Sequence, residues 1–311
     1  MTGGAANRKN GVLGELWKNK FLYLLAFPAI LYTFVYGYLT LPYMVIAFER
    51  FNFRTGLRSP FVGLANFKFF FSSSWAWTVT RNTVLLNFLF IIAGSVMAVF
   101  LAIIINEGHT KRFTKISQSL MLFPYFISWV IVSYILQSIL ENPNGLINRV
   151  LLGMGKEAVS FYSKANYWYV ILILLTVWKN AGYSSIIYLA AITGIDEGIY
   201  EAAYIDGAGR WGRIRYITLP LLMPTVVLLT LMSIGRIFYG DFGMFYAIIR
   251  ENGQLMSVTE VIDTYVFRTF RITGDPGVSM AIGFYQSIVG FILVCGSNWL
   301  TKRLFPEGAL F

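Results

Sequence analysis

The sequence predicts an all-α, polytopic membrane protein with six transmembrane helices, and two observations carry that prediction. Hydrophobic residues make up 57% of the 311 positions and charged residues only 13%, where a soluble domain carries roughly a quarter charged. Six apolar runs also reach the length of about 20 residues that a helix needs to cross a bilayer. A soluble enzyme is excluded. One cysteine, Cys295, and one histidine, His109, exclude a disulfide framework and a metal cluster built from Cys and His. The net charge of +10 sits between apolar runs, where topology and lipid headgroups account for it, so no nucleic acid is expected as a partner.

The spans are expected near 21–48, 82–105, 116–140, 167–193, 217–239 and 279–301. The first follows Arg8, Lys9, Lys18 and Lys20, the basic flank of a signal sequence. It is too long for a signal core and lacks a small-residue cleavage site, so it reads as a retained helix. Placing the N-terminus inside puts twelve Lys and Arg on the cytoplasmic side and eleven outside. The cytoplasmic loops are much shorter, so charge density favours both termini inside. This divides the chain into a cytoplasmic segment 1–20, a transmembrane domain 21–304 with a cytoplasmic loop at about 194–216, and a tail 305–311. Pro28, Pro42, Pro124, Pro220 and Pro224 lie in the spans; each removes a backbone hydrogen bond that only a neighbouring helix or watery cavity replaces, which implies kinked, protein-packed helices. After Asn142-Pro143-Asn144-Gly145, the spacing of Leu146, Ile147, Val150, Leu151 and Met154 predicts a short helix at the outer membrane surface. Phe69-Phe70-Phe71, Trp75 and Trp77 read as an aromatic belt.

The loop between the fourth and fifth spans is unusual for a linker. It reads Glu201-Ala202-Ala203-Tyr204-Ile205-Asp206-Gly207, nine residues, then Ile217-Thr218-Leu219-Pro220. Ile192, Ile195, Ile199, Ala202 and Ala203 recur at steps of three or four, giving a short helix with an apolar stripe that Asp206-Gly207 terminates. Such a stripe is either a protein-docking element or a connection covered by the chain's own loops.

The pattern EAA, three residues, G, nine residues, I-x-LP resembles the signature loop of permease subunits of binding-protein-dependent ABC importers, with every fixed position met. The resemblance extends through Phe61-Val62-Gly63-Leu64-Ala65-Asn66-Phe67, Gly145-Leu146-Ile147-Asn148, Trp178 with Gly182 and Tyr188-Leu189-Ala190, which are similar to the sugar-permease branch. Val261 to Arg268, Gly274-Asp275, Ala281-Ile282-Gly283, Gln286-Ser287 and Pro306-Glu307-Gly308 resemble permeases that import oligosaccharides from complex polysaccharides, such as the rhamnogalacturonan and alginate systems. The resemblance implies a type I ABC importer permease fold in a bacterial cytoplasmic membrane. It further implies a second, similar permease as partner, two ATPase subunits that use ATP and Mg, and an extracytoplasmic solute-binding protein. This chain itself would be non-catalytic and hold no cofactor. Glu201, Ala202, Ala203, Asp206, Gly207, Ile217, Leu219 and Pro220 would form the loop that couples to the ATPase. In that reading Gly207 allows a sharp reversal, Glu201 is a polar anchor and Pro220 starts the next helix where no amide donor is needed.

Two motifs are decoys. Gly207-Ala208-Gly209-Arg210-Trp211-Gly212 matches G-x-G-x-x-G but follows a helix, not a buried strand. Gly155-Lys156 has Val150 and Glu157 where a phosphate-binding loop needs Gly and Ser or Thr.

Charges deep in spans are costly and face a cavity or a partner. Lys179, beside Trp178, Asn180 and Tyr183, falls near the middle of the fourth span; Arg236 lies toward the outer part of the fifth, with Tyr239 and Asp241 beyond. One reading makes these the substrate pathway, with aromatic rings stacking on sugars and cations attracting carboxylates. The other pairs Arg236 with Asp241 or a partner's acid and lets Lys179 snorkel or bond helix carbonyls. Gln137 and Asn87 are weaker candidates, since amides often join helices. An ion-coupled carrier is the main rival to an importer subunit, and it commonly carries deep acids, which these spans lack. A permease for a neutral oligosaccharide or glycerol phosphate is the rival within the family.

Overall fold

The computed structural model describes residues 17–108 and 110–304. Arg8, Lys9, His109 and the 305–311 tail with Pro306-Glu307-Gly308 lie outside the described residues. Among the described residues every element is helical, apart from isolated bridges at Glu49–Phe61 and Asn52–Gly56.

The first span runs Lys20–Phe48 as helix α1 (Lys20–Thr33), a π turn (Phe34–Tyr38) and a 3-10 segment (Leu41–Phe48). After α2 (Ala65–Phe71) comes the second span, α3 (Ser74–Asn106), which begins well before the expected residue 82. The expected third span, 116–140, is not one helix. It is α4 (Lys111–Phe126) and α5 (Trp129–Leu140), bent by 95° at the break. Pro124 sits two residues before the end of α4, and Ser128 restarts the chain as an N-cap whose hydroxyl accepts from the Ile131 amide. A proline followed by a capping serine is a stop and a start. The surface helix α6 (Leu146–Gly153) forms as expected, and α7 (Tyr167–Thr193) is the fourth span.

The loop helix α8 (Glu197–Ile205) follows, and then the fifth span starts earlier than residue 217. A short α9 (Arg210–Arg213), a π turn (Ile214–Thr218) and α10 (Leu219–Gly235) form one run. Pro220 stands in the first turn of α10, as expected, although that helix continues the run from Arg210. The π turn, in which the Leu219 amide reaches the Ile214 carbonyl, absorbs the donor that proline lacks. At the far end come α11 (Phe242–Ile249), α12 (Met256–Thr259) and α13 (Ile262–Thr273), and α14 (Pro276–Leu304) is the last span.

The second and fourth spans form the most extensively packed pair. Ala98 and Ala102 are fully buried between them, against Tyr188, Leu189 and Ile192; small side chains let membrane helices approach closely where lipid gives no hydrophobic drive. Gly182 does the same for α7 and α4, since a Cβ there would lie 2.0 Å from the Met121 carbonyl oxygen. A 3.7 Å ion pair between Glu107 and Arg210 ties the end of α3 to the start of the fifth span. Glu107 and the 194–216 loop thus share one end, and the 141–166 and 236–275 segments share the opposite one.

That opposite end is irregular backbone, and buried side-chain amides satisfy it. Asn66 donates to the Ala47 and Glu49 carbonyls at 3.0 and 2.9 Å. Asn82 donates to those of Ser257 and Glu260, and Gln286 to that of Phe238. Asn148 donates to Glu141 and Val159 and accepts from the Val159 amide.

Candidate functional site

The loop helix is built to stand alone. Asp196 caps its start by accepting from the Gly198 amide at 2.9 Å. Its end is a Schellman turn: Gly207 takes φ +80°, its amide reaches the Tyr204 carbonyl at 3.0 Å, and the Ala208 amide reaches that of Ala203 at 2.9 Å. No residue of α8 is buried, so the chain's own loops do not cover it. Glu201, Ala202, Asp206 and Gly207 are exposed and Ala203 half-buried. The exposed apolar surface comes from Ile205 at 83% and Trp211 at 82%, with Tyr204 and Tyr216, more than from the expected stripe. Ile192 is buried in the last turn of α7. Ile217 and Leu219 are half-buried and Pro220 exposed. Tyr200 and Thr218 hydroxyls meet at 3.0 Å, fixing the helix to the fifth span.

An open cavity of about 320 Å³ with both polar and apolar walls lies between α3, α7 and α10. Asn87, Ser95, Thr176, Asn180, Ser184, Ser233 and Arg236 line it. The structure thus brings Asn180 and Arg236 together and adds Asn87, whose amide nitrogen donates to the Ile237 and Tyr239 carbonyls at 2.9 and 3.2 Å. Arg236 is exposed at the end of α10 and forms no ion pair within 4.0 Å among the described residues. Asp241, its expected partner, instead accepts from the Trp129 indole at 2.7 Å and from the Met244 amide at 3.0 Å. The hydroxyls were missed, although Thr176, Asn180 and Ser184 stand at four-residue steps in an apolar helix, one face of α7.

The other expected residues are elsewhere. Lys179 is only 8% exposed. Its ammonium donates to the carbonyls of Pro124 at 3.2 Å, Tyr125 at 2.9 Å and Ile127, and lies 5.1 Å from the Trp129 ring centre. It closes the frayed end of α4 at the break, the carbonyl-bonding alternative of the two sequence readings. Tyr183 stacks on Tyr125 at 4.4 Å. Trp178, Tyr183 and Tyr239 are exposed and do not line the cavity.

A second cavity, about 470 Å³, opens at the far end between α5, the 141–162 segment and the end of α11. Gln137 lines it, with Glu141, Asn142, Tyr162 and Arg250. Burial pushes the Tyr162 phenol up from its ordinary pKa, while the Arg250 charge draws it down and the Glu141 charge pushes it up.

An exposed, self-capped helix joined by one continuous span to a cavity between apolar helices fits a membrane permease subunit. The chain belongs to the family of binding-protein-dependent transport system inner membrane components, whose model matches residues 91–306. It is 34% identical over 302 residues to the polygalacturonan/rhamnogalacturonan transport system permease protein YteP of Bacillus subtilis strain 168, covering 97% of this chain and 94% of that one. It is 28% identical, with a TM-score of 0.86 over 95% of this chain and 100% of the other, to a chain of a bacterial ABC transporter involved in the import of the acidic polysaccharide alginate. A structure of a bacterial alginate ABC transporter with an alginate pentasaccharide-bound periplasmic protein matches with TM-score 0.85 and 28% identity, covering 95% and 98%. The type I ABC importer permease fold expected from the signature loop is the fold observed.

Proposed function

We propose that this chain is one permease half of an ATP-driven importer of oligosaccharides that carry carboxylates. The observation that carries the reading is α8: a capped helix with no buried residue on the loop that bears the EAA pattern. Its exposed Ile205 and Trp211 are the surface for an ATPase subunit, which binds ATP and Mg; a second permease carries the other ATPase. Glu201, Ala202, Ala203, Asp206 and Gly207 form the docking helix, and Ile217, Leu219 and Pro220 connect it to the fifth span. ATP-driven closure of the two ATPases draws the docked helices together, and α7 and the fifth span carry that displacement to the cavity as a switch of access. Both termini and this loop are cytoplasmic, and an extracytoplasmic solute-binding protein delivers sugar at the opposite end.

The acidic substrate rests on Arg236, a cation with no ion pair within 4.0 Å among the described residues, beside hydroxyls and amides in a partly apolar wall. Hydroxyls and amides suit sugar hydroxyls, and the guanidinium suits a carboxylate. The likeness to a polygalacturonan/rhamnogalacturonan permease and to an alginate importer supports this. Trp178, Tyr183 and Tyr239, exposed outside the cavity, are left as surfaces that a second permease completes.

Vesicles holding the assembled importer test the reading. Oligogalacturonides accumulate only with ATP inside, and Gly207→Pro, which cannot adopt φ +80°, leaves the protein inserted while uptake falls by about tenfold or more. Sugar-stimulated ATP turnover at the normal rate in that variant would refute docking through α8; uptake of neutral but not acidic oligosaccharides would refute the substrate.

A further inference from the structure

The larger, far-end cavity is separate from the intramembrane one. Thr176 on the intramembrane side meets the Met244 sulfur at 3.3 Å, and Met244 belongs to the buried apolar cluster whose Ile248 and Ile249 back the far-end cavity. A packed apolar wall therefore divides the two.

Arg250 is the feature that marks this cavity. Among the described residues it is the one non-glycine with positive φ, at φ 55° and ψ −134°, a conformation that a side chain makes costly and that recurs at ligand clamps. Its guanidinium lies 5.3 Å from the Tyr134 ring centre and makes no ion pair within 4.0 Å among the described residues. The neighbouring Glu251 is already paired with Arg271 at 3.0 Å. Asn252 donates to the Tyr162 carbonyl at 2.8 Å, which fixes the Arg250 turn to the opposite wall. Around the cation stand Gln137, Glu141, Phe161 and Tyr162. Together these are an anion-binding fork, hydrogen-bonding groups for hydroxyls, and aromatic rings for the apolar face of a pyranose.

We propose that this cavity is a second sugar subsite, which holds one uronate ring of an oligosaccharide with its carboxylate on Arg250 while the chain is handed toward the intramembrane cavity. The proposal rests on the oligosaccharide reading above and adds a place and a charge preference. A chain of several rings then rests one ring in the outer cavity, on its own side of the apolar wall, before moving on, and a single uronate does not need that hold.

Binding to the whole importer in nanodiscs, without the solute-binding protein, tests this. The probes are trigalacturonate, its carboxyl-reduced neutral counterpart and galacturonate. Arg250→Gly relieves the backbone and removes the fork, and Arg250→Lys keeps the charge. Trigalacturonate affinity should fall by about tenfold or more in Arg250→Gly, the scale of one charged hydrogen bond, and by less in Arg250→Lys; the neutral trimer and galacturonate should be unchanged. An unchanged trigalacturonate affinity, or an equal loss for acidic and neutral trimers, overturns the subsite and leaves the oligosaccharide reading standing. Should the wild type bind neither trimer, the oligosaccharide reading falls and the subsite with it. If Arg250→Gly does not assemble, the same comparison is made on Arg250→Lys, where equal losses again refute the proposal.

Discussion

Side-chain amides and carboxylates that would be surface residues in a soluble protein here hold loop backbone together. Asn82 and Asn148 are fully buried; Asn82 satisfies carbonyls of a segment far away in sequence, and Asn148 ties together the two ends of its own loop, at Glu141 and Val159. The Asn66 and Asn148 of the two outer motifs are thus tethers, and the chemistry sits elsewhere. Asp263 belongs to the same set. Its Oδ2 accepts from the Gly240 amide at 2.7 Å and from Gln286 at 3.1 Å, joining α13 to the turn after the fifth span and to the last span. Burial pushes its carboxyl above the usual range, against the lowering effect of those donors. A folded-state pKa above the unfolded one means that stability is fully present at low pH and is lost as pH rises through the folded value. Amide protection of residues 238–245 should therefore decline with rising pH above the ordinary carboxylate range of about 4. Asp263→Asn should flatten that decline, and an unchanged slope would show that another group sets it. Glu260, also raised by burial and held 3.2 Å from Arg268, supplies a slope of the same sign in the same segment.

At the level of elements, the broken third span separates what pattern reading reaches from what it does not. Hydropathy counts apolar residues and is blind to direction, so two short apolar helices at 95° read as one run. Pro124 and Ser128 signalled the stop and the restart, but a proline inside a membrane helix is usually absorbed as a kink. Existence and order of the other spans, the capped loop helix and its glycine end were legible because length, spacing and capping chemistry fix them locally. The cavity was half legible: Asn180 and Arg236 stood out as polar groups in apolar runs, while the hydroxyl face of α7 is weak in any hydropathy average. Lys179 stood out for the same reason, yet its work is structural. The Pro124 carbonyl also accepts from the Ile127 amide at 3.2 Å, but those of Tyr125 and Ile127 rely on the ammonium, and each such group left unpaired costs about 1 to 3 kcal/mol. Lys179→Met should destabilise the importer by several kcal/mol, with Lys179→Arg recovering part of it, read as thermal unfolding in detergent. Uptake of acidic and neutral oligosaccharides should fall by equal factors. A loss confined to acidic substrates would return Lys179 to the pathway.

Taken whole, the molecule is a five-span body with one span set apart. The apolar window of the first span is 0% buried, against 17% to 33% in the other single-helix spans. Neither α1 nor the π turn contains a buried residue; the 3-10 segment packs against α14 and α2, with Ile46 and Ala47 buried. Lipid is as apolar as leucine, so nothing forces this helix onto the rest of the chain. A span meant only for lipid, however, would be best served by an unbroken α-helix. This one departs from it twice, at Phe34–Tyr38 and Leu41–Phe48, and irregular backbone at membrane depth persists where protein covers it. Thr40 relieves part of the deficit by donating to the Tyr36 and Gly37 carbonyls at 2.9 Å. The remaining cover is expected from the second permease. Replacing residues 21–39 with a leucine run of equal length keeps the hydropathy and the basic flank while erasing the shape. Copurification of the second permease should then drop by about tenfold, equivalent to about 1.4 kcal/mol, with membrane insertion unchanged. Recovery of the pair in full would mean that lipid alone surrounds this helix.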